Sequence, residues 1–116
     1  MIALPLANAA FAITTITALA SSAETFGRQY FQLHYDYEVA AQCGLISGTV
    51  EQVFRDRRQV GDTNGLLSDV ARRQLRLNAY VAAAREYNNR GLGGYKQWCR
   101  GAATLGVRRI LSPQNR

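Results

Sequence analysis

Phe26, Tyr30, Leu33, Tyr37 and Ala41 recur every three or four residues in the stretch ETFGRQYFQLHYDYEVAAQC, and this spacing constrains the fold more than any other feature. Side chains so spaced line one face of an α-helix, and an apolar face needs another element to cover it. Gly44 follows directly and suits the left-handed cap that ends a helix, so the first helix is predicted over 24–43.

The same reasoning predicts three more helices. In TVEQVFRDRR, Thr49 and Gln52 have capping-box spacing, and Val50, Val53 and Phe54 form an apolar edge. QVGDTNG reads as a loop in which Asp62, Thr63 or Asn64 could cap the next helix. The third helix, Gly65 to Asn88, carries Leu67, Val70, Leu77, Val81 and Ala84 as its apolar stripe, with Arg72, Arg73, Arg76 and Arg85 mostly off it. NNRGLGG ends it, because Asn and Gly accept the backbone angles of a turn. The fourth helix spans Tyr95 to Leu111. Pro113 bars its continuation, and Arg108 and Arg109 sit in the last turn, where the helix dipole favours cations. The expected fold is all-α, a small antiparallel bundle of about four helices. A chain of 116 residues makes one domain, here 24–112, with an apolar leader at 1–23 and a tail at 113–116.

The leader, MIALPLANAAFAITTITALASSA, has 23 residues and no charge. Ala10-Phe11-Ala12 and Ala18-Leu19-Ala20 each supply a small-x-small cleavage site for a secretory signal. The basic segment that should precede it is missing, which a true start further upstream would explain. As a membrane anchor the segment is weakened by Pro5, Asn8, Thr14, Thr15 and Thr17, and as a buried helix by the β-branched run Ile13 to Thr17. Export to the periplasm is the leading expectation. Retention as a membrane anchor facing the periplasm is the alternative.

Cys43 and Cys99 are the only cysteines, 56 positions apart, which excludes a C-x-x-C redox pair or haem motif. His34 is the only histidine, so a zinc site lacks ligands. Two states stay open: a pair of separate reduced thiols, or a Cys43–Cys99 disulfide. In an exported chain the even count favours the bond, and an up-down bundle can bring the two helix ends together. The stretch YNNRGLGGYKQWC then reads as a helix–turn–helix corner packed by aromatic rings, with Trp98 covering the bridge. A second reading makes Tyr87, Asn88, Asn89, Arg90 and Tyr95 an exposed polar-aromatic interface.

The net charge of +6 is divided unevenly: residues 1–54 carry −3 and residues 55–116 carry +9. Arg72, Arg73, Arg76, Arg108 and Arg109 are the candidates for a basic contact surface on the third and fourth helices. Nucleic-acid binding by a cytosolic form is the charge-based alternative, disfavoured by the leader and by the lack of a binding motif. No G-x-S-x-G, H-E-x-x-H or P-loop pattern occurs, and GLGG follows a helix where a dinucleotide site needs a strand. His34 and Glu38, at i and i+4, form the one pair worth testing for acid–base work. No catalytic residue, metal or cofactor is assigned.

LHYDYEVAAQCG, followed by YNNRGLGGYKQWCRGAATLGVRRIL, is similar to a family of small exported proteins of alphaproteobacteria. Cys43-Gly44, Tyr87-Asn88 and Cys99 are the matching positions. Tyr95 stands four residues before Cys99 where the family pattern has three, and Asn89-Arg90-Gly91-Leu92 departs from its Gly-Tyr part. The resemblance implies a helical, exported, disulfide-bonded protein and brings no activity. The functional expectation is a non-catalytic accessory subunit of an envelope complex that binds another protein. The alternative is a membrane-tethered assembly component held by residues 1–23.

Overall fold

The computed structural model describes residues 3–112, with side chains described for 22–90 and 94–112. The fold is an all-helical bundle: α1 (Ala3–Gln42), α2 (Gly48–Thr63), α3 (Asp69–Asn88), α4 (Gly91–Trp98) and α5 (Thr104–Leu111). A π-turn at Cys99–Ala103 joins α4 to α5 in one continuous rod, so the bundle has four rods. The leader assigned to 1–23 lies, for its side chains, outside the described residues apart from Ser22 and Ala23. The tail 113–116, with Pro113, lies outside them. Among the described residues no helix is long and apolar enough to cross a membrane.

The four rods run up, down, up and down, with α1 at the centre of the other three. Tyr30 meets Asp62 near the end of α2 and Tyr37 meets Glu51 near its start, so α1 and α2 are antiparallel. Arg76 reaches Tyr30, and Ala83 packs with Val39, so α3 rises beside α1. The last rod descends from Cys99 beside Cys43 to Arg109 beside Asp36. Burial divides into two clusters along α1. Val39, Ala83, Trp98 and Ala103 form one at the disulfide end, and Val50 and Phe54 of α2 with Ile110 of α5 form the other against Leu33 and Tyr37 of α1. The Tyr37 ring stacks on Phe54 at 3.9 Å, and its hydroxyl donates to Glu51 at 2.5 Å. That hydrogen bond, with burial second, pushes the Tyr37 phenol up to about 12.

Gly44 ends α1 as expected, at φ +69°. Leu45 N–H donates to Ala40 C=O and Gly44 N–H to Ala41 C=O, the paired bonds of a Schellman cap. Four boundaries after α1 differ from the sequence expectation. Ser47, not Thr49, caps α2 by accepting from Val50 N–H. α2 then runs on to Thr63, so QVGDT is helical and the connection shrinks to 64–68. Ser68 caps α3 through Ala71 N–H, displacing Asp62, Thr63 and Asn64 from that role. The last rod begins at Gly91, four residues before Tyr95, because glycine lowers helix propensity without forbidding a helix.

The largest departure is the rotation of α3. Its predicted buried stripe faces solvent: Val70 is 68% exposed, Leu77 55% and Val81 41%. Ala79 and Ala83, on the opposite side of the helix, are fully buried, and Ala83 packs with Val39 of α1. Two causes act together. Alanine side chains on this face, with Ala83 packed on Val39, let α1 and α3 approach closely, and close approach multiplies dispersion contacts. Arg72 and Arg76 share the alanine face and find their partners, Asp62 and Tyr30, only when that face turns inward.

Candidate functional site

The short 64–68 connection decides where charge collects. Gly65 adopts φ +77°, and the Asn64 side chain accepts from Leu66 N–H, so the chain reverses within a few residues. The end of α2 and the start of α3 are thereby held side by side over the middle of α1. Arg58, Asp62, Asp69, Arg72, Arg73 and Arg76 line a cleft there of about 340 Å³.

Buried Tyr30 ties two of these lining side chains together. The phenol donates to Asp62 Oδ1 at 2.7 Å and accepts from Arg76 Nη1 at 2.8 Å. Burial raises the Tyr30 pKa, the Asp62 carboxylate raises it further, and Arg76 works against both. Asp62 also pairs with Arg58 at 3.4 Å and with Arg72 at 3.6 Å. Arg72 bonds the Leu67 carbonyl at 2.5 Å and pairs with Asp69. His34 stands behind Tyr30, with ring centroids 4.6 Å apart, and edge-on to Phe54. It is 4% exposed, and its buried Nε2 has no hydrogen-bond partner. Burial first, then Arg58 and Arg76, pushes the imidazole pKa down to about 4, so the ring is neutral. Glu38 lies one turn further along α1, its pKa raised by burial.

The predicted contact residues divide among three places. Arg72, Arg73 and Arg76 meet at the cleft, but Arg72 and Arg76 turn inward and only Arg73 is exposed. Tyr87, Asn89, Arg90 and Tyr95 gather at the disulfide end. Tyr87 packs in the core cluster and lies 5.7 Å from the exposed Tyr95 ring. Asn89 is exposed at the end of α3, and Arg90 pairs with Glu86 while its guanidinium lies over Trp98 at 5.6 Å. On α5, Arg108 is exposed, whereas Arg109 grips Asp36, a carboxylate only 2% exposed. That hydrogen bond, opposed by burial, raises the Arg109 pKa.

Cys43 and Cys99 are bonded, with Cα atoms 5.5 Å apart, and Trp98 shares their packing cluster. A stable disulfide closing so long a loop belongs to a non-reducing environment, as in exported proteins. Among the described residues no three His, Cys, Asp or Glu side chains converge where a metal ion would sit. No family model, curated protein or solved structure matches the chain.

Sequence reasoning missed Tyr30, Arg58 and Asp62 as site residues. The i, i+4 spacing of Arg58 and Asp62 was the one visible signal, and placing QVGDT in a loop hid it. Nothing local announces that Tyr30 reaches across to Asp62, 32 residues away.

Proposed function

We propose that the protein is a non-catalytic, protein-binding subunit of the periplasm that serves an envelope complex, and that it docks through the outward face of α3. The observation that carries this reading is the exposed row Val70, Leu77, Tyr80 and Val81, with Tyr80 53% exposed. Small folded proteins seldom leave such a row uncovered unless something binds it. At about 100° per residue, Arg73 falls within the row between Tyr80 and Leu77, Arg85 falls on its Val81 flank, and both are exposed. The two acids of α3 stand outside it: Asp69 pairs with Arg72 and Glu86 with Arg90. A partner with an apolar ridge and acidic rims complements this face, because aromatic, aliphatic and arginine side chains make productive contacts there. The disulfide and the likeness to exported alphaproteobacterial proteins support the compartment.

The test places a photo-crosslinking residue at Leu77, and as a control at exposed Arg108, in protein expressed in its native host. A discrete adduct from Leu77 in the envelope fraction, mapping to an acidic and apolar segment and lost on Val81→Asp, is the expected result. An adduct indifferent to Val81→Asp, or one formed equally from Arg108, overturns the assignment.

A further inference from the structure

We propose that the cleft between α2 and α3 binds a compact oxyanion of two negative charges: phosphate, or the phosphate monoester head of a larger molecule. The cleft is lined by four guanidinium groups and two carboxylates, which leaves two positive charges uncompensated. Those charges can be located. Asp62 is shared by Arg58, Arg72 and the Tyr30 hydroxyl, and Asp69 is taken by Arg72. Among the described residues no carboxylate pairs with Arg73, and Arg76 meets only the neutral phenol of Tyr30. Arg73 and Arg76 are three residues apart on one helix, so their charges are neighbours and repel. An anion seated between them removes that repulsion and gains charge-assisted hydrogen bonds, which guanidinium forks make in pairs to phosphate oxygens.

The cleft is also prepared for such a ligand. Tyr30, fixed by Asp62, holds Arg76 in place, and Arg72 is tied down by the Leu67 carbonyl and two carboxylates. Donors fixed in advance lose little entropy on binding. With Asp62 already surrounded by donors, its charge is largely neutralised toward an incoming anion. The volume of about 340 Å³ is near the lower end of ligand pockets, which fits a small headgroup better than an extended cofactor.

The cleft shares Arg73 with the docking face, so each site is tested through a residue that belongs to it alone: Arg76 for the cleft and Leu77 for the docking face. Sodium phosphate is titrated into the full chain against sodium chloride at equal ionic strength, while the ring resonances of His34, the single histidine, are followed by NMR. A saturable shift with phosphate and none with chloride is expected. Arg73 is exposed and makes no ion pair among the described residues, so Arg73→Ala should leave the fold intact and weaken the response about tenfold, as should Arg76→Gln. Exposed Arg85→Ala and the docking-face variant Leu77→Asp should leave the response unchanged. Phosphatidic acid vesicles against phosphatidylcholine vesicles separate a lipid headgroup from free phosphate: Arg73-dependent binding to the former alone assigns the headgroup. No saturable response in either arm, or responses indifferent to both Arg73→Ala and Arg76→Gln, overturns the site.

Discussion

Arg109 on α5 grips Asp36 on α1 with both edges of its guanidinium, Nε to Oδ2 at 2.9 Å and Nη2 to Oδ1 at 2.7 Å. Gln32 adds a third donor to the same carboxylate at 2.8 Å. The pair joins residues 73 positions apart, and it lies where Gly106 lets α5 come within van der Waals reach of the Asp36 side chain. Arg57 completes the joint by donating to the carbonyls of Arg109 and Ile110 at the end of α5. Removing one member of a buried ion pair strands the other, at a cost of about 3–5 kcal/mol when both are desolvated. Arg109 is nearly half exposed, so Arg109→Ala should cost less, about 2 kcal/mol. Urea denaturation measures it. Asp36→Asn in the Arg109→Ala background should add little, because the stranded charge is then gone. Additive losses would show that the two residues are not coupled.

The Cys43–Cys99 bond closes a loop of 56 residues. By chain entropy such a link contributes about 4 kcal/mol, on a scale where a whole domain has only about 5–15. Cys43→Ser/Cys99→Ser should therefore lower the urea midpoint strongly, with early loss of the Trp98 fluorescence signature, since Trp98 packs in the same cluster. An unchanged midpoint with both residues replaced would show that packing of Val39, Ala83 and Ala103 suffices to hold that end.

Much of this architecture could be read from residues alone. The spacing of Phe26, Tyr30, Leu33 and Tyr37, the cap at Gly44 and the meeting of the two cysteines all follow from local chemistry combined with up-down topology. What escaped was the rotation of α3. A hydrophobic pattern weighs residues by apolar area, so Val70, Leu77 and Val81 outvote Ala79 and Ala83. Shape decided otherwise, with alanines giving the closer helix contact. The cleft escaped for a related reason. Arg72 and Arg76 read as a solvated face, because their partners Asp62 and Tyr30 lie on other helices, and no periodicity reports a contact between helices.

Gly61 offers a test of the α1–α2 approach. A Cβ there would stand 2.8 Å from Tyr30 Cδ1 and 3.1 Å from Cε1. The ring cannot turn aside without breaking its bonds to Asp62 and Arg76. Gly61→Ala gains up to about 1 kcal/mol in helix propensity and incurs overpacking of about 1–3 kcal/mol, so a net loss near 1 kcal/mol is expected. Gly101→Ala, whose added methyl meets nothing within 4 Å, is the control and should be neutral or slightly stabilising. If Gly61→Ala matched that control in urea denaturation, the close approach of α2 to Tyr30 would be refuted.

His34 should make the fold sensitive to mild acid. Its imidazole pKa is near 4 in the folded chain, against 6.5 in an unfolded one. Between those values the unfolded state binds the proton and the folded state does not, so stability present above pH 6.5 is lost as pH falls toward 4. At 1.36 kcal/mol per pH unit, the loss across that window is about 3 kcal/mol. Other groups contribute differently. Glu51, whose pKa the Tyr37 hydrogen bond lowers, loses its contribution only as pH falls below the ordinary glutamate value of 4.5. Glu38, raised by burial, works in the opposite direction, because protonation relieves a buried charge. The informative quantity is therefore the difference between wild type and His34→Phe, which keeps an aromatic ring beside Tyr30 and Phe54. Urea midpoints taken from pH 7 to pH 4 should fall more steeply for wild type than for the variant, with the two slopes parting below about pH 6.5. Parallel slopes would mean that the imidazole gains its proton as readily inside the bundle as outside it.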